Sequence, residues 1–298
     1  MVGEEMRILF IGTVEFSYKT LEKLISLDAE IVGVCTKEKS SFNSDFADLV
    51  PLCEKASVPC RFVDDINSSE NIAWIGSLEP DIVFCFGWSS LIRNELLSLP
   101  KMGIVGYHPA ALSQNRGRHP LIWAMVLGLK KSASTFFFMQ EGADDGDILS
   151  QKEFDILYED NAKSLYDKVS SIALKQIEEF LPQLQSGNYK KIIQNHALAN
   201  SWRKRSKADG IIDFRMSSRA IYNLVRALGE PYVGATLRYK DEEITIWQIE
   251  EVDCDLPNIE YGKVLANDGK TITIKTSDKA IRITDHEFKQ LPQIGEYL

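Results

Sequence analysis

The chain has 298 residues, with 43 acidic against 34 basic side chains, a formal net charge of −9 and a pI near 5.1, which disfavours extended binding to naked nucleic acid. With 44% apolar and 26% charged residues the composition excludes disordered and collagen-like classes, and the length suits two domains on the usual ~150-residue scale. Five cysteines, an odd number without a CxxC pair, read as those of a reduced, cytoplasmic protein.

The opening segment MVGEEMRILFIG carries two acids where a signal peptide carries bases, and nowhere does the chain reach the ~20 apolar residues of a membrane span. Short apolar runs then alternate with helical periodicity. Arg7 to Ile11, Ile31 to Cys35, Ile82 to Phe86 and Ile104 to Tyr107 predict parallel strands covered on both faces. Between the first two, Phe16, Thr20, Leu21, Leu24 and Leu27 recur at helical spacing, so the chain opens with a βαβ unit. Ser134 to Met139 predicts another strand. Leu165, Val169, Ile172, Ala173, Gln176, Ile177 and Phe180 then form one face of a helix from Ser164 to Leu181, stopped by Pro182. The polar stretch from Asn188 to Asp209 reads as a linker, and its basic run Arg203 to Lys207 as a solvated one. Ile221, Leu224, Val225 and Leu228 predict a short helix that Gly229 terminates. Five β-like runs follow (Ala235 to Tyr239, Glu243 to Ile249, Lys263 to Ala266, Thr271 to Lys275 and Ala280 to Thr284) and suggest a small barrel or OB-like fold. The fold class expected is α/β: a Rossmann-like, mostly parallel sheet over residues 1–200 and a smaller β-rich, OB-like domain over 201–298.

The first βα turn, Gly12-Thr13-Val14-Glu15-Phe16, has one glycine where the dinucleotide fingerprint needs three, so NAD binding is unsupported. Two other segments offer chemistry. Gly106-Tyr107-His108-Pro109-Ala110-Ala111-Leu112, continued by Asn115-Arg116-Gly117-Arg118-His119-Pro120-Leu121-Ile122-Trp123, puts a histidine at a strand's carboxyl end, where open α/β sheets hold ligands. Gly142-Ala143-Asp144-Asp145-Gly146-Asp147-Ile148-Leu149 supplies an acidic loop after the STFFFM strand. A lone strand-end histidine is often only a satisfied polar residue, and an Asp-Gly loop is often only a turn. Half of a metal site is a further reading of the loop, but no second ligand cluster accompanies it and no metal is expected.

In order and spacing, GTVEF, the His-Pro segment, RG followed by PLIW, the D-x-G-D-I-L loop, DGIIDF, AIYNLVRAL and PYVGA resemble the formyltransferases that use N10-formyltetrahydrofolate, which include methionyl-tRNA formyltransferase and the sugar N-formyltransferases. The resemblance covers nearly the whole chain. It implies a Rossmann-like catalytic domain, N10-formyltetrahydrofolate as formyl donor, a homodimer, and a catalytic Asn, His and Asp. His108 matches the histidine and Asp144 the aspartate; the asparagine fails, because Gly106 stands at its position. Asn115 is the first candidate to replace it, with His119 or a backbone N–H next. The pterin is expected against the backbone of Phe86, Gly87, Trp88 and Ser89 and the loop from Gln140 to Asp144. Formyl transfer is attack of a neutral amine on a formyl carbon and develops an oxyanion. A histidine whose ordinary pKa is ~6.5 can donate to that oxyanion or shuttle a proton, and a carboxylate can orient the ring. Asp147 reads as structural, Phe136 to Phe138 as buried strand, and Trp88 as core or as a wall of the folate pocket.

The acceptor is the remaining question. The tRNA enzymes of the family share a basic inserted loop after the second strand, where this chain has the short, nearly balanced KEKSSFNSDFADL. From Asp209 to Leu298 there are 11 basic against 16 acidic side chains, a net charge of −5, and tRNA calls for the opposite. A small acceptor is therefore expected, a nucleotide-linked deoxyamino sugar. The GYHPA and KSSFN segments resemble pseudaminic-acid-type enzymes that act on a UDP-linked 4-amino sugar. Arg116 and Arg118 are candidates for its phosphates, and Lys37, Ser40 and Asn43 for the sugar. The alternatives are methionyl-tRNA formyltransferase and a catalytically weakened folate- or nucleotide-sugar-binding protein.

Overall fold

A computed structural model describes residues 5–39 and 45–298. In chain order its elements are β1 (Ile8–Ile11), α1 (Glu15–Ser26), β2 (Ile31–Thr36), α2 (Val50–Ala56), β3 (Cys60–Phe62), α3 (Ser69–Ser77), β4 (Ile82–Cys85), α4 (Asn94–Leu97), β5 (Ile104–His108) and β6 (Arg116–Gly117). There follow α5 (Pro120–Val126), β7 (Lys131–Phe138), β8 (Ile148–Asp155), α6 (Ala162–Gln185), β9 (Ser201–Trp202), α7 (Ser218–Leu228), β10 (Ala235–Tyr239), β11 (Glu242–Val252), β12 (Val264–Asn267), β13 (Ile272–Lys275) and β14 (Ala280–His286).

Seven strands make one sheet in the order β3-β2-β1-β4-β5-β7-β8. The first five pair in parallel, and β7 runs antiparallel to β5. The order reverses between β1 and β4, so their carboxyl ends flank the crevice where such sheets hold ligands. This is the Rossmann-like, mostly parallel sheet that the continuous apolar runs announce: β1 and β4 are buried along their whole length. On one face, Phe10, Phe16, Phe84, Phe86, Phe136, Phe180 and Tyr107 form a chain of ring contacts with centroids 4.2 to 6.4 Å apart. Burying each such ring contributes ~1.5–3 kcal/mol. α1 adds Phe16, Leu21 and Leu24 to the interior.

Helix α6 does not stop at Pro182; it continues to Gln185 with the proline inside its last turn. There the missing N–H removes one hydrogen bond, to the Glu178 carbonyl a turn earlier, while the Pro182 carbonyl still accepts from the Ser186 N–H at 3.0 Å. α2, β3 and α3 carry no expectation from the sequence. α2 is short and has Pro51 in its first turn, and β3 is a three-residue edge strand with no buried residue, so neither shows a usable period. α3 is started by Ser68, whose hydroxyl accepts from the Asn71 N–H.

The C-terminal strands form an antiparallel sheet in the order β10-β11-β14-β13-β12. Lys240 and Asp241 turn β10 into β11 with φ of 47° and 62°, the positive values a two-residue hairpin needs. α7, capped by the Ser217 hydroxyl, buries Ile221, Leu224, Val225 and Leu228. The chain divides into two compact units: Met1–Gly117, Ser132–Phe154 and Lys168–Ser201 in the first, and Arg118–Lys131, Asp155–Asp167 and Trp202–Leu298 in the second. Two segments before residue 200 thus join the second unit; α5 lies in one of them and packs on α7. Among the described residues no helix is long and apolar enough to cross a membrane.

Candidate functional site

The first βα turn is closed by its own side chain. Ser17 Oγ accepts from the N–H groups of Thr13 and Val14 at 3.0 and 3.1 Å and donates to the Phe86 carbonyl at 2.6 Å. Gly87, at φ +71°, lies so close that a Cβ there would collide with Val14 and the Ser17 hydroxyl. The N–H groups that a phosphate would use at the start of α1 are thereby already bonded.

Two strands away stand the candidate polar groups. β5 ends at His108, 5% exposed. Its loop is fixed from below: Thr135 Oγ1 donates to the Ala110 carbonyl at 2.7 Å, and Gln151 Nε2 donates to the Leu112 carbonyl at 2.7 Å. His108 Nε2 lies 2.7 Å from the Asn115 carbonyl oxygen. A carbonyl can only accept, so Nε2 carries the proton and Nδ1 is the nitrogen left unbonded by main chain. Nδ1 faces Asp144 Oδ2 at 3.6 Å.

Asp144 is delivered by a loop held at its base. A Cβ on Gly146 would collide with the Phe138 carbonyl, so only glycine lets the loop return against β7, where Phe138 N–H donates to the Asp147 carbonyl at 2.8 Å. Asp144 itself has φ +55°, a conformation that costs most residues about 1 kcal/mol and that Asp tolerates better. Its Oδ2 accepts from the Gly117 N–H at 2.9 Å, and its carbonyl accepts from Gln194 Nε2 at 2.9 Å. Gln194 also donates to the Gly146 carbonyl at 2.7 Å and accepts from Arg116 Nη2 at 2.6 Å. One buried amide therefore ties the acidic loop to the strand that carries Arg116.

His108 and Asp144 are thus brought together as expected, but Asn115 engages His108 through its main chain and not through its amide. Gly106 has no room for the amide it lacks: a Cβ there would lie 2.9 Å from Met139 Cγ and 3.1 Å from Phe137 Cζ. Among the residues expected against folate, the Phe86 ring belongs to the aromatic core and its carbonyl is taken by Ser17. Trp88 is packed against the cluster of Leu9, Ile11 and Cys85, with its indole N–H buried and without a partner, as is Asp145 Oδ1. Ser89 is half-buried and Gln140 exposed. Lys37 Nζ lies 5.1 Å from the centroid of a Trp88 ring, while Ser40 and Asn43 fall outside the described residues. Arg116 is held by Gln194 and meets His196 Nδ1 at 3.2 Å, with its Nε buried and unbonded. Arg118 is exposed and belongs to the second unit. Among the described residues no group of three or more His, Cys, Asp or Glu is placed to hold a metal ion.

Gln194, Gln151, Thr135 and Asn200, whose Oδ1 accepts from the Asn115 N–H at 2.8 Å, escape the sequence reading. The segment from Asn188 to Asp209 is not a plain linker, since Ile192 bridges to Ile148 and Gln194 is buried. The apolar pair Ile192-Ile193 in that polar stretch is the one local sign that it returns to the sheet.

A formyl transferase family model matches residues 6–181, and one for the formyl transferase C-terminal domain matches residues 204–295. The methionyl-tRNA formyltransferase of Clostridioides difficile (strain 630) is 28% identical over 299 residues, covering 98% of this chain and 96% of that protein. In fold, the chain is similar to WlaRD, a sugar 3N-formyl transferase crystallised in the presence of dTDP and 5-N-formyl-THF, with a TM-score of 0.72 at 18% identity over 97% of this chain and all of that one. It is also similar to HypX from Aquifex aeolicus, with a TM-score of 0.66 at 20% identity over 96% of this chain, but spans only 45% of the HypX chain.

Proposed function

The chain belongs to the formyl transferase family, and on that premise we propose that it moves a formyl group from N10-formyltetrahydrofolate to an amino group of a nucleotide-linked deoxyamino sugar. The observation that carries the acceptor is charge: −5 from Asp209 to Leu298 and −9 overall, a poor surface for a polyanion whose binding depends on neutralising many phosphates. A UDP-linked 4-amino sugar is the particular acceptor favoured by the GYHPA segment.

The support for a folate within the chain is that the Trp88 indole N–H and Asp145 Oδ1, in two segments expected beside the pterin, are each buried without a partner, a donor and an acceptor that a polar ligand would satisfy. When bound, the donor supplies an electrophilic formyl carbon. The protein's part is to hold charge and protons. With Nε2 committed to the Asn115 carbonyl, His108 takes up and releases a proton at Nδ1 alone. The Asp144 carboxylate stabilises the ring once Nδ1 is protonated and keeps that nitrogen aimed. Gly106 offers no amide, so we assign the Nδ1 proton of His108 to the developing oxyanion.

A second reading, methionyl-tRNA formyltransferase, is favoured by the 28% identity that extends over almost the whole chain. Incubation with N10-formyltetrahydrofolate and a panel of UDP- and dTDP-linked amino sugars, read by mass spectrometry, decides between them. The expected result is a mass gain of one CO on at least one sugar. Gain on charged initiator tRNA and on none of the sugars would replace the first reading by the second.

A further inference from the structure

Within the second unit, two basic stretches far apart in sequence are zipped side by side. Arg118 N–H donates to the Trp202 carbonyl at 3.0 Å, and the Trp123 indole N–H donates to the Arg203 carbonyl at 2.9 Å. The guanidinium carbons of Arg203 and Arg205 lie 5.2 and 5.0 Å from the Trp123 ring centroid, within the range of cation–π attraction. The run Arg203 to Lys207 is exposed as a solvated run should be, except at buried Arg205; the indole that orders it lies 80 residues away.

The two arginines differ in what balances them. Arg203 grips Asp209 with two hydrogen bonds of 2.8 and 2.5 Å, and the same carboxylate accepts from the N–H and hydroxyl of Ser206. Arg205 reaches only the Asp209 main-chain carbonyl, at 2.6 Å. It is 9% exposed, and its Nη1 is buried without an acceptor. Arg118 forms no side-chain hydrogen bond or ion pair among the described residues. Between these cations sits half-buried His119, at φ +55°. Burial first, then Arg205, Arg118 and Lys204, hold its imidazole below the ordinary histidine range, so the ring is a neutral hydrogen-bond donor at pH 7.

A buried guanidinium N–H without an acceptor costs ~1–3 kcal/mol, and gathered like charges add repulsion. An anion seated among them relieves both. We propose that Arg118, His119, Lys204 and Arg205 form a binding site for the diphosphate of a nucleotide, with the Arg205 fork as its fixed donor. Guanidinium forks match phosphate oxygens in geometry. Three cations suit the two or three charges of a diphosphate better than the single charge of a carboxylate. The acidic balance of the sequence beyond Asp209 does not extend the patch as an RNA backbone would need. That the nucleotide is part of the acceptor rests on the proposed function; the anion site does not.

Calorimetric titration of the full chain with inorganic pyrophosphate, UDP and dTDP, with no folate or amino sugar present, tests the site apart from formyl transfer. Saturable binding is expected, weakened ~10-fold or more by Arg118→Gln and by Arg205→Lys. Arg118 is exposed, so its variant folds; a thermal melt checks the Arg205 variant. Wild-type affinity in both variants, or no binding at millimolar concentrations, overturns the site. If pyrophosphate binding is lost in both variants while no amino-sugar nucleotide is formylated, the site stands and the acceptor reading falls. Transfer to an amino-sugar nucleotide with an unchanged KM in both variants removes the site and leaves the acceptor reading. Binding of tRNA that the variants abolish, with no pyrophosphate binding, assigns the phosphates to RNA and overturns the diphosphate.

Discussion

At the start of α1, the Ser17 hydroxyl takes the N–H groups of Thr13 and Val14 and gives its own proton to Phe86. At the end of β5, on the same edge of the same sheet, His108 and Asp144 stand 3.6 Å apart, longer than a hydrogen bond. Trp88 Nε1, Asp145 Oδ1 and Arg116 Nε, all in the same unit, are buried without partners. The closed turn satisfies its main-chain groups through one hydroxyl, and only the Thr13 Oγ1 is left buried without a partner. Asp145 Oδ1 and Arg116 Nε belong to segments flanking the open turn and stay unbonded at ~1–3 kcal/mol each, a cost that natural sequences tolerate where a ligand completes the set. The difference sets a turn closed by its own hydroxyl apart from the turn to which we assign the chemistry, although both lie at the strand ends where such sheets bind ligands.

The comparison can be broken by substitution. The largest effect is expected for His108→Ala and Asp144→Ala: kcat for formyl transfer should fall ~10²- to 10⁴-fold, with folate binding retained and the melting temperature little changed. Full activity in His108→Ala would remove the assignment. Ser17→Ala should behave in the opposite way. It leaves two buried N–H groups unbonded, so urea denaturation should report a loss of about 2–4 kcal/mol, while kcat of the folded fraction stays near wild type. A fall in kcat without a loss of stability would show that the closed turn takes part in the reaction. The smallest effect belongs to Gly106→Asn, where crowding against Met139 and Phe137 should cost about 1–3 kcal/mol. Adding Met139→Ala should return most of that stability, and denaturation of the single and double variants measures it.

The parts of the fold legible in the sequence are those whose cause is local. β1, β2, β4 and β5 show as apolar runs because they are covered on both faces, and α7 shows through the spacing of Ile221, Leu224, Val225 and Leu228. His108 and Asp144 are legible because each follows a strand within a recognisable segment. The groups that hold them are not. Gln194 bonds carbonyls 50 and 48 residues away, Gln151 one 39 residues away, and Asn200 an N–H 85 residues away. A lone amide that bonds main chain at such separations follows no spacing rule. Arg205 misleads for the same reason: by composition it belongs to a solvated run, and only the Trp123 ring, distant in sequence, draws it inside. Pro182 misleads in the other direction, because a proline in a final turn removes too little to end a helix.

The carbonyl of Asn115 makes His108 a store with a single door. Of the two ring nitrogens, one is occupied by main chain that neither gives nor takes a proton. The ring therefore cannot pass protons through itself from one side to the other, as a relay does; whatever enters at Nδ1 leaves at Nδ1. In the proposed reaction, two groups served by this histidine must therefore meet on the same side of it in turn, and the proton delivered to the second is the one collected from the first.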